Sequence, residues 1–175
     1  SRATLEIRDT SLVYIGPTGS ELSAPMDAND GRWHDVALSH RHATGQSLLF
    51  VDGVLKGTVS DSYLPDQFVI GGAAGASGRA LAPLQADFQD VCIYRAAWTQ
   101  DEAMAQSKGA VQQSSLEICS PLADAGPVSG VLLENRAQSL SSMTLNTSNV
   151  SAQSATTVPE GLSVSSTTGT TVSLT

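Results

Sequence analysis

The fold of this chain is decided by two neighbouring stretches, Gly31-Arg32-Trp33-His34-Asp35-Val36-Ala37-Leu38-Ser39 and Ser47-Leu48-Leu49-Phe50-Val51-Asp52-Gly53-Val54-Leu55. In the first stretch, Val36 and Leu38 alternate with polar or small residues, which indicates a strand with one buried face. The second stretch opens with a mostly apolar run, which is typical of a buried strand. The polar segment 40–46 contains a glycine and predicts a hairpin loop between the two strands.

Turn signals place further strands next to this pair. Asp52-Gly53 stands between two apolar pairs, which favours a two-residue type I′ turn and a third strand after it. Towards the N-terminus, residues 4–8 and 11–15 both alternate, and Asp9-Thr10 is the turn between them. The sequence therefore predicts an all-β fold built from antiparallel hairpins.

One short helix is predicted over residues 99–108. Thr99 and Glu102 have the spacing of a capping box, and Asp101 adds a second acidic residue to the first turn. Gly109 is the expected end of this helix.

The strings at 31–38, 49–53, 68–72 and 88–95 together resemble a laminin-G/concanavalin A-like domain. Similar strings occur in pentraxins and in the lectin-like domain of trans-sialidases. The resemblance extends over roughly residues 3 to 108. It implies an antiparallel jelly-roll β-sandwich and leaves the function open.

The resemblance also shapes the expected domain organisation. In relatives the Trp-His string follows several strands, whereas only 32 residues precede Trp33 here. Either the segment 116–145 folds back and supplies the missing strands, or another chain or domain covers the open sheet edges. We therefore expect a sandwich over residues 1–145. Residues 146–175 are rich in Ser and Thr and would be a stalk or the start of a further β-module.

Composition narrows the class of protein. With 41% hydrophobic residues in 175, the chain is long enough for one sandwich and an appendage. The net charge of -8, without a Lys/Arg cluster, argues against nucleic acid and anionic membranes as partners. Low charge with abundant Ser, Thr and Gly favours an extracellular β-protein. The chain has neither an initiator methionine nor a signal peptide, so we expect a processed product or a piece of a larger protein.

Two features bear on covalent modification. Cys92 and Cys119 each lie in an apolar, strand-like context. They could form a disulfide worth about 3 kcal/mol if the strands are neighbours, or remain buried free thiols. Asn146 and Asn149 both lie in N-x-[ST] sequons, which predicts a glycosylated stalk, although Ser/Thr-rich sequence also produces such triplets by chance.

No residue pattern for catalysis is found in the sequence. A retaining glycoside hydrolase needs two acidic side chains close together on one sheet face. Asp87 and Asp90 are the pair that comes nearest to this requirement, but their odd spacing places them on opposite faces. His40 and His42 stand in a loop without a ligand-spaced partner, so we interpret them as solvated surface residues. Gly-x-Ser-x-Gly is missing as well. We therefore expect a protein that is not an enzyme.

The resemblance implies a calcium site at one rim of the sandwich. Carboxylate oxygens are the ligands that Ca²⁺ prefers, and four loop aspartates could supply them. They are Asp27, Asp30, Asp61 and Asp66. Acidic residues of this kind are also typical of any solvated turn.

Sugar binding needs an exposed aromatic face flanked by polar groups. We expect Trp33 in the core, because the strand that it opens is a core strand. Tyr63 and Trp98 lie nearer to loops and are the aromatic candidates. Arg79, in the Gly/Ala/Ser-rich loop 71–82, could bind the carboxylate of an acidic sugar, or be an ordinary solvated arginine.

Three functions are compatible with these observations. The resemblance implies a non-enzymatic extracellular module that binds glycans or proteins in adhesion, within a larger secreted or surface protein. Alternatively, the chain is a structural subunit of a glycosylated extracellular assembly. A third possibility is an accessory lectin-like domain of a sialidase or other glycosidase whose catalytic residues lie elsewhere.

Overall fold

Regular structure in the described part of the chain is almost entirely antiparallel strand, with one α-helix. The computed structural model describes residues 3–63, 68–70, 73–74, 80–81, 86–122, 130–153 and 163–174. The chain forms two compact units. The first unit is Ser1–Pro65 with Ala96–Gln112, and the second unit is Asp66–Arg95 with Gln113–Thr175.

The first unit contains two three-stranded sheets. One sheet has the order β1-β2-β3 and the other the order β4-β5-β6. The hairpin and turn signals predict the β1–β2 pair and all of the second sheet, but not β3. These strands are β1 (Thr4–Arg8), β2 (Ser11–Ile15), β3 (Glu21–Pro25), β4 (Val36–Arg41), β5 (Gln46–Val51) and β6 (Val54–Ser60). A 3-10 turn, His42–Thr44, links β4 to β5, and helix α1 (Gln100–Ser107) completes the unit.

Strand β5 is buried on both of its faces. Leu49 and Val51 pack against side chains of the other sheet, and the cluster is completed by Leu12, Tyr14, Ala24 and Met26. Leu48 and Phe50 point the other way and pack against Ala103 of α1. Each large apolar side chain buried in this way contributes about 1.5–3 kcal/mol. The first unit is therefore a two-sheet sandwich with a helix on the outer face of the second sheet.

Two local features let the second sheet adopt this geometry. Asp52 and Gly53 have φ angles of 53° and 72°, which are the positive values that a type I′ turn requires. Gly57 of β6 lies close to the first sheet, since a Cβ there would be 2.5 Å from Cδ1 of Leu22. A larger residue at this position would push the two sheets apart.

Helix α1 begins at the predicted capping box. The Thr99 side chain accepts a hydrogen bond from the Glu102 N–H, and the Glu102 carboxylate accepts one from the Thr99 N–H. Gly109 follows the last turn with a φ of 84°. Local chemistry thus accounts for both ends of the helix.

The second unit is built around a long hairpin. β14 (Met143–Gln153) pairs with β15 (Ser163–Leu174), in a sheet of order β10-β15-β14-β13 to which β7 is added through β15. The remaining strands are β7 (Phe68–Ile70), β8 (Ala73–Ala74), β9 (Ala80–Leu81), β10 (Asp87–Phe88), β11 (Val91–Tyr94), β12 (Leu116–Ser120) and β13 (Val131–Leu132).

The two units divide the chain differently from the predicted boundary between residues 145 and 146. That boundary lies inside β14, which continues to Gln153 and pairs with β15 over almost its whole length. Within the segment 116–145, β12 pairs with β11 of the second unit, and completion of the sandwich by this segment remains a prediction. The sequon residues Asn146 and Asn149 lie within β14, opposite Thr171 and Thr168, and their glycosylation remains a prediction.

A disulfide joins β11 to β12. Cys92 and Cys119 are register partners in this strand pair, and they form the bridge 27 residues apart in sequence. Beside it lies a small core of Ile118, Leu122 and Leu133. In the part of the chain that is described, no helix has the length and apolar character needed to cross a membrane.

Candidate functional site

Three connecting segments of the first unit meet around a pocket at one end of its sandwich. They are the β1–β2 turn, the β3–β4 segment and the β5–β6 turn. The pocket is a shallow depression open to solvent, with a volume of about 470 Å³. Its lining residues are Thr10, Pro25, Met26, Asp27, Asp30, Arg32, His34, Val51, Asp52 and Lys56.

Short-range hydrogen bonds shape the β3–β4 segment. Oδ1 of Asp27 accepts from the backbone N–H of Asn29 at 3.0 Å, and Oδ1 of Asp30 accepts from that of Arg32 at 2.9 Å. Both are side chain-to-backbone contacts two residues apart, which is why Asp favours such turns. The N–H of Met26 also donates to the carbonyl of Thr10 at 3.0 Å, and this bond joins the end of β3 to the β1–β2 turn.

His34 connects the β3–β4 segment to the β5–β6 turn. Its Nδ1 lies 3.0 Å from Oδ2 of Asp52, and its Nε2 lies 3.3 Å from Oδ1 of Asp30. The side chain is only 13% exposed. The hydrogen bond with Asp52 raises the pKa of His34 above its usual range, against the opposing effect of burial. Only the doubly protonated ring can donate to both carboxylates, so the bridge favours imidazolium.

Arg32 is already paired within the pocket. Its Nε and Nη2 both lie 2.6 Å from Oδ2 of Asp30. The hydrogen bonds from Arg32 hold the pKa of Asp30 below its ordinary value. The pocket rim is therefore a chain of charge-assisted contacts that runs from Arg32 through Asp30 and His34 to Asp52.

Trp33 is 51% exposed, which corrects the prediction that it is part of the core. Strand β4 begins only at Val36, so Trp33 lies in the irregular segment before the sheet. Its sequence neighbours Arg32 and His34 both line the pocket, whereas Trp33 itself is not among the lining residues. The signal that could have shown its exposure is local, since the indole stands between charged or polar residues directly after the Gly31 turn.

The aromatic residues predicted to bind ligand are packed instead. Trp98 is partly buried against the cluster that contains Phe50, and its backbone N–H donates to Oγ of Ser39 at 2.7 Å. The ring of Tyr63 stacks on that of His40, with 4.4 Å between centroids. Neither Trp98 nor Tyr63 lines the pocket, and Arg79 lies outside the described residues.

Asp61 is placed in the interior rather than on a rim. Its side chain is 0% exposed, and it accepts hydrogen bonds from Tyr14 and, at 2.7 Å, from Ser47. Burial, followed by the hydrogen bond to Asp61, raises the pKa of Tyr14. His40 joins the same cluster through Ser47 at 2.9 Å, which corrects its interpretation as a solvated loop residue.

This cluster contains Ser, His and Asp without the arrangement of a catalytic triad. In a triad the histidine bridges the serine and the aspartate, whereas here Ser47 bridges His40 and Asp61. Ser47 is also completely buried, so no substrate could reach its hydroxyl. The cluster is a set of buried polar groups that bond to one another, except that Nε2 of His40 is buried without a hydrogen-bond partner among the described residues.

Of the other three aspartates expected to bind calcium, two line the pocket and one lies outside the described residues. Asp27 and Asp30 line the pocket, whereas Asp66 lies outside the described residues. Arg32 and His34 already occupy both oxygens of Asp30, so this donor set does not fit a calcium ion. Within the described ranges, no three His, Cys, Asp or Glu side chains are grouped to hold a metal.

Comparison with known proteins identifies the family. Residues 8–104 match the Laminin_G_3 family, described as the concanavalin A-like lectin/glucanases superfamily. No curated protein and no solved structure matches the chain. The matched segment is more than half of the 175 residues and includes every strand of the two-sheet sandwich except most of β1. The chain therefore belongs to the concanavalin A-like lectin/glucanases superfamily.

Proposed function

We propose that this chain is a non-enzymatic, extracellular glycan-binding module whose site is the pocket of the first unit together with Trp33. The observation that carries the proposal is the half-exposed indole between two pocket-lining residues. Membership of the superfamily supports a lectin-like or binding module in general terms.

The lining of the pocket supports a sugar as the ligand. Pro25 is exposed and supplies apolar surface for the C–H face of a sugar ring, whereas the neighbouring Met26 and Val51 are largely buried in the core. Asp27, Asp52 and other polar groups surround that surface and could bind hydroxyl groups. Apolar and aromatic walls with a few polar groups are typical of small-molecule sites.

Two observations support the absence of catalysis and the extracellular location. The carboxylates of Asp30 and Asp52 face His34, so they stabilise the rim rather than forming a free acid and base. The disulfide between Cys92 and Cys119 is typical of an oxidising compartment.

Glycan-array binding followed by calorimetric titration tests the proposal. Trp33→Ala should weaken binding by about tenfold or more, because truncation of an exposed aromatic anchor typically costs more than 1 kcal/mol. Trp33→Phe should retain most of the affinity. Trp98→Phe is the matched control, since Trp98 is partly buried against the cluster that contains Phe50, whereas Trp33 is half exposed. Equal binding by the unaltered chain and Trp33→Ala would contradict the proposal.

The two alternatives from the sequence remain predictions with their own test. A structural subunit would be recovered within a much larger particle, and native mass spectrometry before and after deglycosylation would show it. An accessory domain of a glycosidase would bind the glycan that the attached catalytic domain cleaves.

A further inference from the structure

The long hairpin of the second unit has an edge that is only partly covered. On one side, β14 pairs with β15 over almost its whole length, and on the other side β13 pairs only with Thr144 and Leu145. Among the described residues, no strand or turn pairs with the outer edge of β14 from 146 to 153. Backbone N–H and C=O groups along such an edge are a template for a further strand.

The hairpin lacks the features that usually prevent an edge from pairing. Natural sheets protect their edges with charged residues, with proline or by keeping the edge strand very short. β14 has 11 residues, and neither β14 nor β15 contains a charged residue or a proline. The net charge of -8 is therefore carried entirely outside these two strands.

A bulge can also protect an edge, but the one in this hairpin belongs to the other strand. The register shifts between Asn149 and Val150, whose partners are Thr168 and Ser166. The extra residue is therefore Thr167 of β15, and the bulged strand is the one that bends. The run 146–153 of β14 has no inserted residue.

A second copy of the same segment is the partner that suits this edge. Antiparallel pairing of a strand with its own copy is two-fold symmetric, so the donors and acceptors of one copy meet the acceptors and donors of the other. The pairing covers both open edges at once and closes as a dimer. Because the segment has no charge, its two copies meet without the like-charge contacts that destabilise strand pairs.

Both sequons lie in the open segment, at Asn146-Thr147-Ser148 and Asn149-Val150-Ser151. An attached oligosaccharide is much larger than the spacing of about 4.8 Å between paired strands. A glycan at either asparagine would therefore obstruct the approach of another strand. Strand pairing and glycosylation thus compete for the same segment.

We propose that the outer edge of β14, residues 146–153, pairs with the same edge of a second copy to form an antiparallel dimer, and that N-glycans at Asn146 and Asn149 prevent this pairing. The dimer surface belongs to the second unit and lies outside the family match at residues 8–104. It does not depend on the pocket or on glycan binding.

Sedimentation equilibrium over a concentration series tests the pairing on the full chain made in bacteria, without N-glycans. The unaltered chain should dimerise reversibly. The double variant Thr147→Lys, Val150→Lys brings like charges together and should weaken the dimer by at least about tenfold. Gln113→Lys with Ser114→Lys is the matched control, since it adds the same charge to an exposed segment before β12. It should dimerise like the unaltered chain.

A charge exchange distinguishes lost pairing from lost folding. The double variant Thr147→Glu, Val150→Glu should also be monomeric alone. An equimolar mixture with the lysine variant should form a heterodimer, because opposite charges then meet across the strand pair. An unaltered chain that is monomeric at every concentration, a lysine variant that dimerises equally well, or a mixture that stays monomeric would each overturn the edge pairing.

The chain secreted from eukaryotic cells tests the role of the glycans. The chain with glycan at Asn146 and Asn149, verified by mass spectrometry, should be monomeric. Asn146→Gln with Asn149→Gln, from the same cells, should dimerise like the bacterial product. Equal dimerisation of the glycosylated chain, or absence of glycan from both sequons, would overturn the protective role of the glycans.

Discussion

At the scale of single residues, the neighbours Trp33 and His34 have opposite environments. The indole is half exposed, whereas the imidazole is held between two carboxylates. Both residues stand in the string that carries the family resemblance, where a strand is the expected context. The bridge made by His34 depends on Asp52, which is 18 residues away in sequence, so the string around His34 alone could not predict it.

The His34 bridge makes the stability of the first unit dependent on pH. The pKa of His34 is raised in the folded state. Its contribution is therefore fully present below the unfolded pKa of about 6.5 and is lost as pH rises through the higher folded value. We expect the urea midpoint of the first unit to fall as the pH rises above about 6.5, and His34→Gln to flatten this dependence.

Tryptophan fluorescence is the appropriate measurement, because both tryptophans, Trp33 and Trp98, lie in the first unit. Asp30, whose pKa is lowered by its hydrogen bonds with Arg32, titrates at more acidic pH than this window. His42→Gln, on the exposed 3-10 turn, is the control. If the urea midpoint of His34→Gln still depended steeply on pH, the dependence would not come from the His34 bridge.

The buried carboxylate of Asp61 leads to a second residue-scale prediction. Asp61→Ala leaves the hydroxyl groups of Tyr14 and Ser47 without their acceptor. It should lower the free energy of unfolding of the first unit by about 3 kcal/mol, since each orphaned buried group costs about 1–3 kcal/mol. Glu21→Ala removes an exposed carboxylate paired with Arg8 and should cost no more than about 1 kcal/mol. Similar urea midpoints for the two variants would show that the cluster does not stabilise the fold.

At the scale of elements, the sequence predicts what local chemistry determines. Alternation and turn residues predict the β1–β2 hairpin and the three strands β4 to β6, and the capping box predicts α1. These signals act over a few residues. The partners of Asp61 and His34 are set by the register of whole strands and by sheet packing, which no short window of sequence contains.

The capping box of α1 can be tested directly. Thr99→Ala removes the acceptor for the Glu102 N–H and should destabilise the first unit by about 1 kcal/mol. Thr99→Ser keeps a capping oxygen and should behave like the unaltered chain. Because α1 covers Leu48 and Phe50, the loss should appear in tryptophan fluorescence as a lower urea midpoint. Equal urea midpoints for Thr99→Ala and Thr99→Ser would show that the capping oxygen does not stabilise the first unit.

At the scale of the whole molecule, the disulfide and the tryptophans belong to different units. Cys92 and Cys119 lie in the second unit, where their bridge closes a 27-residue separation. The double variant Cys92→Ser, Cys119→Ser should destabilise that unit by about 3 kcal/mol.

Two probes separate the units in this experiment. Circular dichroism should record an earlier unfolding transition in the double variant, whereas the tryptophan fluorescence midpoint should remain unchanged. The unaltered chain under reducing conditions should behave like the variant. If removal of the disulfide also shifted the unfolding midpoint measured by tryptophan fluorescence, the two units would unfold in a single transition.

The helix of the first unit comes from a segment that is separated in sequence from the strands of that unit. Residues 1–65 supply its sheets, but α1 comes from 96–112, after the chain has contributed residues 66–95 to the second unit. During synthesis on the ribosome, about fifty further residues must therefore be added after β5 before the helix that covers its apolar outer face emerges. A chaperone that shields exposed apolar strands would have its greatest effect in that interval.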